Sequence, residues 1–234
     1  KTGFKGVEYL FPYAWKKEQL AEKLGAFGLS QALHNLPAGD WNKGERGIAC
    51  LPGRETEFQE GVGKAIEYAK ALKCPQVNCL AGFTPAGVPA DKVRKTLVAN
   101  LRFAAAALEK EGIRLLVEAL NDKDVPGFYL VRTADVLALI QEVGHPNVYV
   151  QYDVYHMQIM EGNLTKTIQA NLDKIAHIQI ADNPGRNEPG TGEINYPNLF
   201  KAIDAAGYKG WIGCEYKPAG KTEDGLGWIQ PFRR

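Results

Sequence analysis

The chain has 234 residues, 45% hydrophobic and 24% charged, with a formal net charge of +1. That length and composition suit one soluble domain able to bury a sizeable core without disulfide staples. The near-neutral charge excludes an electrostatic case for nucleic acid or an anionic membrane surface. No apolar run approaches a membrane span, and no basic segment precedes a signal-like apolar one. Cys50, Cys74, Cys79 and Cys214 form no CxxC pair, so they read as reduced thiols of a cytoplasmic protein.

In chain order, Gly3 reads as a helix C-cap and Phe4–Leu10 as a strand, with its core at Gly6–Leu10. With no initiator Met, the chain is expected to begin inside a domain. Further strands are predicted at Leu29–Asn35, Gln76–Ala81, Arg114–Leu120, Val148–Asp153, Ile175–Ala181 and Trp211–Tyr216. Helical patterns fall between them, at Lys16–Phe27, Arg54–Leu72, Asp91–Glu111, Thr133–Val143, Leu164–Asn171 and Pro197–Ala206, and a last one begins at Glu223–Trp228. In the third of these, Val93, Leu97, Leu101, Ala104 and Leu108 make a helical stripe. Thr133 is a candidate N-cap, and Gly144 and Gly207 stand where C-caps belong. The long loop Leu36–Gly53, rich in Gly and polar residues, is of the length that is often functional.

Leu115-Leu116-Val117 and Val148-Tyr149-Val150 are apolar without alternation, as parallel strands buried on both faces are. Alternation of strand and helix favours a parallel sheet, either doubly wound or closed. Neither GxGxxG nor GxxxxGK[ST] follows a strand, which removes the strongest support for a nucleotide-binding open sheet. Seven strands are visible where a closed barrel has eight.

The pattern that carries chemistry lies at strand ends. Glu118 and Asp153 end apolar strands, Gln179 lies late in the next, and Glu215 comes at the end of the last. In a barrel those positions converge on the face where active sites are built. Three carboxylates and an amide oxygen are hard ligands that suit Mg²⁺ or Mn²⁺ better than Zn²⁺. The alternative is that each is a solvated or capping residue at a loop start. His156, three residues after Asp153, is a candidate to orient a substrate hydroxyl or relay a proton, or a loop histidine bonded to backbone. His177 reads as a packed core histidine, while His34 and His145 carry no pattern that assigns a role. Arg54, Arg186 and Lys217 stand near strand ends, where an anionic substrate needs a partner.

Several motifs resemble those of the hydroxypyruvate isomerases and 2-oxo-tetronate isomerases of the xylose-isomerase-like barrel superfamily. They are Leu51-Pro52-Gly53-Arg54-Glu55, Val117-Glu118-Ala119-Leu120, Asp153-Val154-Tyr155-His156, Glu161-Gly162-Asn163-Leu164-Thr165, His177-Ile178-Gln179, Gly192-Glu193-Ile194-Asn195-Tyr196-Pro197 and Gly213-Cys214-Glu215-Tyr216-Lys217-Pro218. The resemblance spans essentially the whole chain. It implies a (β/α)8 TIM barrel over residues 1–234 as a single domain, here without the first βα unit with which family members begin. It implies Glu118 and Glu215 as the proton-transferring pair and Glu118, Asp153, Gln179 and Glu215 as metal ligands. The substrate would be a small anionic hydroxy-keto acid, and a homo-oligomer is compatible with the reading. Related ketose 3-epimerases resemble this site but have His where Gln179 stands. A DNA-repair endonuclease of the superfamily would need several zinc ions and many histidines, and only four are present. A truncated ligand-binding variant without turnover is the third alternative.

Overall fold

In the computed structural model, which describes residues 2–232, strand and helix alternate along the chain as the hydrophobic periods predict. The residues group into two units, Phe4–Val150 and a second that runs on from Gln151.

The first unit holds β1 (Gly6–Tyr9), α1 (Lys17–Phe27), β2 (Ser30–Asn35), a 3-10 turn (Trp41–Lys43), α2 (Glu55–Leu72), β3 (Gln76–Cys79), α3 (Ala90–Glu109), β4 (Arg114–Glu118), α4 (Thr133–Val143) and the start of β5 (Val148–Asp153). Strands β1 to β4 pair in chain order, and every pairing is parallel. A helix returns the chain between successive strands, as parallel neighbours require. β3 is buried throughout and β4 everywhere except Arg114, which is why neither alternates in polarity. Buried residues recur at helical spacing along α2 (Phe58, Val62, Ala65, Ala69, Leu72) and α3 (Val93, Leu97, Leu101, Ala104, Leu108). The loop Leu36–Gly53 is tied to the segment that follows β3 by Cys50 N–H donating to Ala81 O at 2.9 Å. Gly47, at φ 120°, lies so close to Leu80 O and Gly82 N that a Cβ would overlap both.

The second unit holds the end of β5, α5 (Val154–Met160), α6 (Leu164–Ala170), β6 (Ile175–Ile180), α7 (Tyr196–Ala205), β7 (Ile212–Cys214) and a 3-10 segment (Asp224–Phe232). β6 and β7 are parallel, with Gln179 opposite Gly213. Tyr152, Met157, Ile168, Ile178 and Tyr196 are its largest fully buried side chains.

Four expectations change. α5 was outside the predicted helices, because it follows β5 with no intervening loop. Thr133 is the first helical residue of α4 rather than its cap; Arg132 takes the cap position, with no capping bond from its side chain. The last helix is 3-10, since Gly225, Gly227 and Pro231 all disfavour α-helix. β7 ends at Cys214, so Glu215 opens the loop after it. Gly144 and Gly207 do take left-handed φ at helix ends (64° and 86°). None of the four cysteines is in a disulfide, and no helix among the described residues is long and apolar enough to cross a membrane.

Candidate active site

In the first unit the candidate site residue is Glu118, the last residue of β4 and buried. Asn78 of β3 donates through Nδ2 to Glu118 Oε2 at 2.9 Å and to Asn35 Oδ1 of β2 at 3.2 Å. Asn35 and Asn78 are register partners, so three neighbouring strands present polar groups to one another on one face. A donor held by two strands fixes the rotamer of the Glu118 carboxylate. Arg54 stands at the N-cap position of α2 and is paired with Glu45 and, at 2.7 Å, with Glu57.

In the second unit β5 delivers Asp153, which is also the N-cap of α5. Its Oδ1 accepts from Tyr155 N (2.8 Å) and His156 N (3.2 Å), so the strand end and the helix start share one buried residue. Oδ2 is left facing His156 Nε2 at 3.8 Å and Arg186 Nη2 at 3.9 Å. His156 is buried in the first turn of α5, with its ring edge-on to Tyr155. From β6, Gln179 Oε1 accepts from Gln151 Nε2 at 2.5 Å. Glu215 is positioned by its own N–H donating to Ile180 O at 3.1 Å, and its Oε2 lies 3.2 Å from Arg186 Nη2. Arg186, in the loop between β6 and α7, also lies over the Tyr155 ring at 5.0 Å.

Arg186 Nη2 therefore collects two carboxylates, Asp153 and Glu215, about one positive nitrogen. The negative potential reaches further. Burial first, and then the charges of Asp153 and Asp182, push the Tyr196 hydroxyl well above its ordinary pKa; that hydroxyl donates to Ala181 O at 2.7 Å. Two carboxylates converging on a cation, with an oxygen-bearing amide in the adjacent strand, are a donor set that fits a hard divalent ion. Lys217 is exposed; its N–H donates to Arg186 O at 2.7 Å.

Sequence reasoning passed over Asn78, Gln151, Asp182 and Glu188, all buried. Asn78 and Gln151 gave the same signal as Glu118, a polar residue inside an apolar strand. Asp182 and Glu188 sit in Asp-Asn-Pro-Gly-Arg-Asn-Glu, which reads as an ordinary turn.

Known proteins bear on this arrangement. The family model described as xylose isomerase-like TIM barrel matches residues 1–232. Hydroxypyruvate isomerase of Escherichia coli (strain K12) is 57% identical over 233 residues, covering 100% of this chain and 90% of that protein. 2-oxo-tetronate isomerase of Cupriavidus necator is 46% identical over 230 residues, covering 98% and 88%. A crystal structure titled AP endonuclease, family 2, from Brucella melitensis superposes with a TM-score of 0.97 at 45% identity, covering 100% of this chain and 90% of that one. The chain therefore belongs to the xylose isomerase-like TIM barrel family, among its isomerases.

Proposed function

We propose that this protein is a divalent-metal-dependent isomerase interconverting hydroxypyruvate and 2-hydroxy-3-oxopropanoate (tartronate semialdehyde), or a close 2-oxo acid homologue. The observation that carries the reading is the convergence of Asp153 and Glu215 on one guanidinium nitrogen of Arg186. The names of the relatives supply the substrate class. Part of the same reading is that residues 1–232, matched by one family model, work as a single barrel domain.

Glu118, Asp153, Gln179 and Glu215 would hold Mg²⁺ or Mn²⁺, the ions suited to three carboxylates and an amide oxygen. When bound, such an ion polarises the substrate's neighbouring carbonyl and hydroxyl oxygens and acidifies the C–H between them. Starting from hydroxypyruvate, one glutamate of the Glu118/Glu215 pair takes the C3 proton, and that electron pair becomes the C2–C3 double bond of an enediolate. The other glutamate delivers a proton to C2. C3 becomes the aldehyde as its hydroxyl proton leaves, and O2 gains one to become the new hydroxyl. His156, 3.8 Å from Asp153 Oδ2, exchanges these hydroxyl protons in this reading. Arg186 anchors the substrate's carboxylate, and Lys217 adds positive charge at the rim. Arg54 would have to exchange Glu45 and Glu57 to reach the same anion.

The ketose 3-epimerase reading is disfavoured by Gln179 where His would stand. The endonuclease title of the Brucella structure finds no support in a chain with four histidines and a net charge of +1. Glu118→Gln and Glu215→Gln should each lower kcat on hydroxypyruvate by about 10²–10⁴-fold, the usual worth of a general acid or base. Melting temperatures should stay near that of the parent protein. Either variant turning over at the parent rate contradicts the assignment.

A further inference from the structure

The loop between β6 and α7 and the loop after β7 are laced together by two buried acids that the chemistry above does not use. The Asp182 carboxylate accepts three backbone N–H groups, from Asn183 (3.0 Å), Gly190 (2.7 Å) and Ile194 (3.1 Å). These bonds close residues 183–194 into a loop that returns to its own start. Gly192 belongs to the closure, because a Cβ there would overlap Asn183 O and crowd Asp182 Oδ1.

Glu188 lies part way round that loop and turns its carboxylate to the other one. Both of its oxygens accept the Ala219 N–H, at 3.2 and 3.1 Å. Gly225 approaches Glu188 Oε1 so closely that a Cβ there would push the carboxylate from its place. Two more bonds complete the lacing: Lys217 N–H to Arg186 O at 2.7 Å and Asn187 Nδ2 to Lys217 O at 2.8 Å. Arg186 sits between the two acids in sequence, at a left-handed φ of 54°. A guanidinium on a free loop loses backbone and rotamer freedom when it takes a ligand. Here the backbone on both sides of Arg186 is already fixed, so that cost is largely removed before binding.

We propose that Glu188 is a positioning residue for this reaction: by tying the loop after β7 to the loop after β6, it holds Arg186 where the substrate's carboxylate arrives. The inference rests on the hydroxy-keto acid reading of the site. It is tested with the full chain at saturating Mg²⁺, by steady-state kinetics on hydroxypyruvate and by calorimetric binding of D-glycerate, a reduced analogue that cannot isomerise. Glu188→Ala should raise KM and the D-glycerate Kd about tenfold or more, with kcat changed by no more than about threefold. Glu188→Gln keeps an oxygen for the Ala219 N–H and should stay near the parent protein. Glu188→Asp, with its carboxylate drawn back by one carbon–carbon bond, about 1.5 Å, should fall between, and it answers the question if Glu188→Ala does not fold. In an Arg186→Ala background, Glu188→Ala should add little, because both changes act through one contact. A flat Glu188 series, or effects that multiply with Arg186→Ala, overturns the inference alone. A parent protein that neither turns over hydroxypyruvate nor binds D-glycerate overturns the functional reading, and this inference with it.

Discussion

At the scale of single residues, His34 shows how burial alone sets acid behaviour. It lies fully inside β2, edge-on to the Tyr13 ring and beside Cys74. Burial pulls its pKa from 6.5 down to about 4, against a smaller opposing contribution from a backbone contact with Ala65. Burial also pushes the Tyr13 hydroxyl up and the Cys74 thiol up to about 12, so neither supplies an anion to stabilise an imidazolium. Between about pH 6.5 and 4 the unfolded chain takes a proton that the folded chain refuses. Stability should therefore fall as pH drops through that window, with the penalty complete below about 4 and worth roughly 3 kcal/mol. Urea midpoints from pH 7 to 4.5 should trace the fall, and His34→Gln should flatten it; an unchanged slope in the variant contradicts this account. His34 was unreadable in the sequence because a strand buried on both faces has no polar side to compare with. Glu118, Asp153, Gln179 and Glu215 stood out as candidates for the opposite reason, since each interrupts or ends an apolar run. The partners of Asn78 and Gln151 were not, because they come from other strands and depend on register.

At the scale of elements, Asp153 serves β5 and α5 together, and its two tasks separate by substitution. Asp153→Ala removes the cap and should cost about 0.5–2 kcal/mol of stability in chemical denaturation, whereas Asp153→Asn keeps an oxygen for the Tyr155 and His156 N–H groups and should cost a few tenths. Both should lose turnover, since neither keeps the carboxylate facing Arg186. Equal stability losses would contradict the capping role. The strands and most helices were legible from period alone, and β2, β4 and β6 lie within a residue or two of expectation. α5 was not, because Val154–Met160 continues the apolar run of β5 and its start signal is the strand's own last residue. The lacing of residues 183–194 to Ala219 was also hidden, since it depends on two turns meeting rather than on either one's composition.

At the scale of the whole molecule, the family was legible because motif residues are spread over the full length, and the family model likewise matches residues 1–232. In the proposed reaction the ion is held by donors that different strands contribute, so removing it should abolish turnover without removing the protein's fold. The most direct test follows hydroxypyruvate in D2O by proton NMR with the full chain, first stripped with a chelator and then supplied with Mg²⁺ or Mn²⁺. Deuterium entering C3, together with tartronate semialdehyde formed only when the metal is restored, is the predicted result. No exchange with either metal, or exchange at the same rate in the stripped protein, would contradict the proposed reaction.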